Sequence, residues 1–375
     1  MAGVIRELLP FAVALYLFDA LAWVTAREVV VTSLTGTSFR IRRCGLNLLG
    51  LLPTTLDLRV CANRPLVTPH TVILPPTGPV TPAALTDPAG CQFVDLSEAA
   101  KSVVDHTSIS FGGGKTWKAS STAAARSFHS FLVELSRLPA ESREARISEY
   151  YENAFDHEAV ANRLEEFLGA VGPVQPLGDS LFFMVFLMLP GCVIFAPSDP
   201  VLVSGVSLIT GVLWAVTAVM TFRLARRLSD QGKLRPDMTR LATVLLPPPT
   251  AFRGIHVLAA DLFHDIEPVA VAAALLPADK LKSVLRAETA AVSRAVEAGG
   301  PDDWHHAWSL RGKMLSRLLD RLGLSEGDLE VTAGAEVGGV CPECSVAYRP
   351  GFDRCSDCGV ALIPASHSVA FNSPL

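Results

Sequence analysis

Charge is scarce in this chain. Only 18% of its 375 residues are Asp, Glu, Lys or Arg, against about a quarter in soluble domains. Half are hydrophobic, and the mean hydropathy is +0.36. A wholly soluble surface is thereby disfavoured, and the composition is that of a membrane protein. The net charge of −5 supplies no global attraction to nucleic acid. No internal repeat is visible. A disulfide framework is also missing. Of the eight cysteines, Cys44, Cys61, Cys91 and Cys192 are scattered, and the other four are paired at CxxC spacing, a distribution that favours metal binding in a reducing compartment. A complete phosphate-binding loop is absent as well. "FGGGKTW" at 111–117 supplies Gly114 and Lys115, but Ile109 stands where the first glycine of that motif belongs. It reads as a glycine turn before a helix.

Two segments have no charge at all. Residues 201–222, "VLVSGVSLITGVLWAVTAVMTF", are long enough to span hydrocarbon as a helix. Residues 181–196, "LFFMVFLMLPGCVIFA", are shorter, and Pro190-Gly191 predicts a kink of the kind that packed membrane helices tolerate. "PSDP" at 197–200 joins them in a tight polar turn, so the pair predicts a helical hairpin. A third apolar segment, 8–24, contains Asp19. An acid at a helix centre costs about 2.5–3.5 kcal/mol on the insertion scale, which nine Leu, Phe and Val residues at roughly 0.3–0.6 kcal/mol each offset. A span, an interfacial helix and a signal peptide all remain open there, and Asp19 is a functional candidate only if the segment spans.

Basic residues set the orientation. Residues 223–240 carry six Lys or Arg against Asp230 and Asp237, and Arg27, Arg40, Arg42 and Arg43 follow the first segment. By the positive-inside rule both stretches are cytoplasmic and the PSDP turn is outside. The expected location is a bacterial-type inner membrane, multi-pass, with residues 27–180 and 223–375 in the cytoplasm. Between the apolar segments, alternation in "EVVVTSLTG", "SFRIRRC" and "TLDLRVC" predicts strands over 28–61. Seven prolines in 62–90 predict an extended linker or loop. The periodicity from Cys91 to Val171 is helical, with Asp156 as an N-cap, and so is that of 240–323, broken at Pro247-Pro248-Pro249, Pro268 and Pro277, with Gly323 as a stop.

The four paired cysteines, Cys341, Cys344, Cys355 and Cys358, form C-x2-C-x10-C-x2-C. Each CxxC turn presents two sulfurs to one ion, and two turns close a tetrahedron of thiolates around Zn²⁺. Between them "SVAY" predicts a strand, "RPGF" a type II turn with Gly351 at positive φ, and "VALI" at 360–363 a further strand. Residues 340–364 resemble a zinc ribbon of the CPxC…CxxCG type, with Ser345 where a glycine is frequent. The resemblance implies a structural Zn²⁺, and iron is the other metal that four thiolates suit. Four cysteines leave no open position for catalysis. Glu343, Asp353 and Asp357 outnumber Arg349 and Arg354, so no nucleic acid is expected. Tyr348 and Phe352 serve either protein contact or the ribbon's own core.

The expectation is therefore an α+β integral membrane protein, mainly helical, with a small N-terminal β unit, a transmembrane helical hairpin and a C-terminal zinc ribbon. Its divisions are an apolar N-terminal segment (1–26), a β-rich unit with a Pro-rich linker (27–92), a helical region (93–178), the hairpin (179–222), a second helical region (223–335), the ribbon (338–366) and a tail (367–375). The expected function is a membrane-anchored scaffold or adaptor that contacts the bilayer and an unidentified protein partner, with no catalytic residues. The alternative is a membrane-associated enzyme using His264 and Asp261, neighbours if "HVLAADLFHDIEP" is one helix. A transporter ranks third, for want of polar residues inside the spans. His305-His306, between Trp304 and Trp308, reads as a helix face, with the tryptophans at the membrane surface or in a helical core.

Overall fold

A computed structural model of the chain describes residues 64–76, 85–195, 199–230, 237–329, 338–341, 347–356 and 361–364. It also describes residues 10 and 14 and the backbone of short strands at 23–24, 28–34, 38–42, 45–46 and 55–61. Apart from Pro10, Ala14 and the strand at its end, the first apolar segment, including Asp19, lies outside the described residues. The chain is mainly helical, with small antiparallel sheets.

The strands β1 (Trp23–Val24), β2 (Glu28–Leu34), β3 (Ser38–Arg42), β4 (Gly45–Leu46) and β5 (Thr55–Cys61) come first. Strand β2 lies between β3 and β5, antiparallel to both, where the alternation of β-branched residues put strands. The proline-rich stretch then yields β6 (Leu66–Val67) and β7 (Thr71–Leu74), which pair with β8 (Gln92–Asp95).

The first half of the region 93–178 differs from its helical expectation. After one turn, α1 (Leu96–Ala99), it forms a meander of β9 (Val103–Asp105), β10 (Ser108–Ser110) and β11 (Thr116–Lys118). The glycine turn therefore joins two strands and does not lead into a helix. Gly113 and Gly114 adopt φ of 71° and 76°, the left-handed conformation such a reversal needs. Lys115 donates from Nζ to the Phe93 carbonyl at 2.7 Å. Strands of three residues are too short to impose a period that could be told from a helical one.

Helices follow from there. Ser121 caps α2 (Thr122–Arg137), accepting from the Ala124 amide at 3.1 Å. Helix α3 is Ala140–Ala154, and Asp156 caps α4 (His157–Val171) through the Ala159 amide at 3.0 Å. Next come two long apolar helices, α5 (Gln175–Phe195) and α6 (Pro200–Asp230). Within α5, residues 184–188 are π-helical, with the Leu189 amide bonded to the Met184 carbonyl. The missing N–H of Pro190 is thus accommodated by a π-bulge one turn earlier. The remaining helices are α7 (Met238–Leu245), α8 (Pro248–Ala251), α9 (Gly254–Ala260), α10 (Pro268–Leu275), α11 (Ala278–Glu297) and α12 (Asp302–Arg321). Helices α8, α10 and α11 begin at or just after the prolines expected to break the pattern. Gly323, at φ 66°, ends α12.

Among the described residues two large apolar cores result, with a small cluster of Cys192, Val203 and Val206 between α5 and α6. One joins the sheets β6–β8 and β9–β11 to α2, α3, α11 and α12. Trp304 and Trp308 are buried in it, which settles their position as a helical core. The other joins α4, the lower part of α5, the last two turns of α6, and α7, α9 and Leu58 of β5. Helix α10, "PVAVAAAL", is apolar all round and lies between them. Val269 and Ala272 belong to the first core, Ala270 and Val271 to the second. A helix without a polar face is stable only where it is covered on every side.

Candidate functional site

At the C-terminus β12 (Gly339–Val340) is the central strand of a three-stranded antiparallel sheet, between β13 (Ala347–Tyr348) and β14 (Ile363–Pro364). Gly351 has φ 101° in the turn after β13, as the Pro-Gly sequence predicts. Beyond the turn Arg354 pairs with Ala361. Strand β12, just before the first cysteine, had no signal of its own in the sequence, because two residues carry no period.

Cys341 follows β12 directly, and Cys355 follows Arg354. Both thiols are buried, at 0% and 2% exposure. The Tyr348 hydroxyl donates to Cys355 Sγ at 3.2 Å; it lies 3.0 Å from Ser356 Oγ and accepts from the Ser356 amide at 3.1 Å. Cys344 and Cys358 lie outside the described residues, and among the described residues no three metal-ligating side chains gather. The two described thiols are buried, soft donors of the kind Zn²⁺ takes, and Cys355 accepts an O–H hydrogen bond of the sort that orients a metal-bound sulfur. The two aromatics separate in role. Tyr348 is bonded inside the unit, whereas Phe352, 5.7 Å from it by ring centroids, is 58% exposed.

The second candidate region is the pair α5 and α6. Each is long and apolar enough to cross a membrane, and only 28% and 22% of their apolar windows is buried by the rest of the chain. A core helix of a soluble protein is mostly covered. Here Phe183, Leu187, Met188, Ile194, Phe195, Val201, Leu208, Ile209, Val212, Val216, Val219 and Phe222 are bare, far beyond the scattered apolar residues of an ordinary surface. The opposite face of α6, with Val203, Val206, Thr210, Thr217 and Thr221, is buried and small enough for close helix packing. The hydroxyls of Ser207, Thr210, Thr217 and Thr221 each donate to the carbonyl four residues earlier, at 2.7–2.8 Å, so they need no water.

Asp261 and His264, the residues named for an enzyme, are neighbours, but no hydrogen bond joins their side chains. Helix α9 stops at Ala260, and 261–266 are turns, so the helical spacing assumed for Asp261 and His264 is absent. Ile266, Glu267 and Pro268 redirect the chain into α10 instead. His264 Nδ1 lies 3.0 Å from the Asp261 backbone carbonyl, while the Asp261 carboxylate accepts the Asp237 amide at 3.2 Å. Burial pushes the Asp261 carboxyl above its ordinary pKa, against opposing hydrogen bonds from Ser121 and Asp237. The cleft beside His264, lined also by Arg64, Trp117, Ser127 and Tyr150, has a volume of about 10 Å³, room for about one water. His305 and His306 are half-buried on α12, with His306 Nε2 4.0 Å from Glu144.

Sequence reasoning missed an interior ion network. Glu267, 2% exposed, accepts from Arg311 at 3.0 Å and lies 3.7 Å from Arg64. Arg311 also donates to Glu288 at 3.1 Å. Arg64 donates to the His264 and Asp265 carbonyls at 2.9 and 3.0 Å, and Arg163 grips the Asp265 carboxylate with both Nη atoms. These charges sit where the two cores meet and are paired, so they fix the relation of α10 to α11 and α12. The only hint in the sequence was Glu267 immediately before an uncharged helix. No protein-family model, curated protein or solved structure matches the chain.

Proposed function

We propose that this protein is a membrane-anchored scaffold or adaptor. Helices α5 and α6 cross the bilayer as a hairpin, and a structural zinc ribbon serves protein contact on the cytoplasmic side. The observation that carries the proposal is the bare apolar surface of α5 and α6, continuous above a packed helical body. Hydrocarbon is the environment that such a surface fits. Asp199 Oδ1 accepts the Val201 and Leu202 amides at the outer turn, satisfying donors that begin a helix. Arg223, Arg226 and Arg227 lie at the other end, which supports a cytoplasmic body by the positive-inside rule.

In the ribbon, Cys341, Cys344, Cys355 and Cys358 would hold Zn²⁺, which supplies cross-linking for a unit too small to bury a core. Exposed Phe352 is the contact residue. The experiment is affinity capture from detergent-solubilised membranes with the intact chain and with Cys355→Ser/Cys358→Ser. A partner captured by the first and lost with the second supports the ribbon as the docking element. An unchanged partner set removes that role. The enzyme reading has no comparable support, since it rests on His264 and Asp261, whose side chains point to different partners.

A further inference from the structure

A second, shorter apolar hairpin flanks the long one. From Leu241 to Phe252 the sequence "LATVLLPPPTAF" has no charge. Its twelve residues are too few to span a bilayer but are of the length that re-enters one leaflet. The chain reverses at Pro247-Pro248-Pro249, so that α7 packs against α9, and α8 and α9 both contact α6. Phe252 packs between Phe182 and Phe186 of α5, with ring centroids at 5.4 and 6.2 Å. Gly254 lies so close to α6 that an added Cβ would sit 2.8 Å from Thr221 Cγ2.

One hydrogen bond ties the tip to α6. Trp214 Nε1, in the middle of α6, donates to the Leu245 carbonyl at 2.9 Å. Trp214 is eight residues from Phe222, or about 12 Å into the apolar length at 1.5 Å per residue. Leu245 Cδ2 also comes close to Thr221, since an added Cβ at Gly254 would lie 2.7 Å from the one and 2.8 Å from Thr221 Cγ2, so the tip lies between the levels of Thr221 and Trp214, within one leaflet, whose hydrocarbon is about 15 Å thick, half of the bilayer's.

Its polar groups are arranged for such a place. Three successive prolines leave no amide N–H at the apex. The amides beside them are bonded: Leu246 to the Ala242 carbonyl, and Thr250 and Ala251 to that of Pro247. The Thr250 hydroxyl donates to the Val244 carbonyl at 2.8 Å, and that of Thr243 to Thr239 at 2.9 Å. Leu246, at the apex, is 74% exposed. Reversal of a chain in hydrocarbon requires this internal satisfaction.

We propose that residues 241–252 form a re-entrant hairpin whose tip, at Leu246, is inserted among the acyl chains of the cytoplasmic leaflet beside α5 and α6. This rests on the membrane reading of those two helices, and the occupant follows from continuity with their bare surface.

The test places a photoreactive diazirine amino acid at one of three positions of the full chain, reconstituted in phosphatidylethanolamine–phosphatidylglycerol vesicles. The positions are Leu246, Leu208 in α6 and Val103 in the β9–β11 meander, exposed 74%, 70% and 66%. Phospholipid adducts at 208 and 246, and none at 103, are expected. An adduct at 208 with only water or protein products at 246 overturns the re-entrant hairpin and leaves the two spans standing. Absence of lipid adducts at 208 overturns the membrane reading and this inference with it.

Discussion

Glu267 shows how much depends on single side chains in the interior. Its carboxylate, closed in by Arg311 and Arg64, is the acid these two cations share, beside Glu288 on Arg311 and the two carbonyls on Arg64. Glu267→Ala is expected to destabilise the body by about 3–5 kcal/mol, the usual cost of breaking a buried pair, measured as denaturant or thermal unfolding in detergent. Asp261 has the opposite character. Its folded pKa is raised by burial, so the fold favours the protonated acid. That contribution is complete below the ordinary carboxylate range and is lost as pH rises through the raised pKa. Asp261→Asn should flatten the fall in melting temperature between acid and neutral pH and raise stability at pH 7. A profile identical to that of the parent chain would contradict this. For Asp265 burial also works upward, but hydrogen bonding from Arg163 and the nearby His264 and Arg163 charges bring the pKa down. Its contribution is present above the ordinary range and is lost as pH falls through the lowered pKa. None of these pairings was legible in the sequence, because partners 44 residues apart (Arg311 and Glu267) or 102 apart (Arg163 and Asp265) leave no local pattern.

Elements were legible in proportion to their length and punctuation. The 3.6-residue stripe of α12, the cap at Asp156 and the breaks at proline all lie where sequence put them, since each has a local physical cause. The meander at 103–118 did not, because its strands are three residues long and their pairing is set by distant packing. Near the C-terminus, the turn with Gly351 at positive φ was legible from Pro350-Gly351. The central strand β12 was not, although Gly338 marks its start: an added Cβ there would lie 2.5 Å from Pro350 Cα. That close approach of backbone to backbone admits only glycine. Gly338→Ala is therefore expected to force the strand from the turn and weaken metal retention, read as faster loss of zinc to a chelator than from the parent chain. Equal rates would show that the approach does not matter to the metal unit. Gly254→Val tests the packing of α9 against α6. Its side chain would meet Leu245 Cδ2 at 2.7 Å and Thr221 Cγ2 at 2.8 Å. A loss of about 1–3 kcal/mol, as for overpacked cores, should appear in thermal unfolding.

At the scale of the molecule, the low charge content and the two uncharged runs already divided the chain into an apolar pair of helices and a polar body. The structure adds the way they are joined: α5 and α6 continue into the second core through Leu181, Leu224, Ala225 and Leu228, so the apolar pair and the body are one packed unit and not a tether with a domain on it. Under the proposed orientation the thiols of the proposed ribbon face the cytoplasm, where thiols stay reduced. Purified protein should carry one zinc per chain by elemental analysis, and Cys341→Ser should lower that content.

Anchoring through α5 and α6 is the claim on which orientation, ribbon environment and re-entrant tip all depend. Alkaline carbonate washing of membranes from cells making the full chain tests it most directly. The protein is expected to stay in the membrane pellet and to be released only by detergent, as bare apolar helices of this length require. Its quantitative release into the carbonate supernatant would contradict the account.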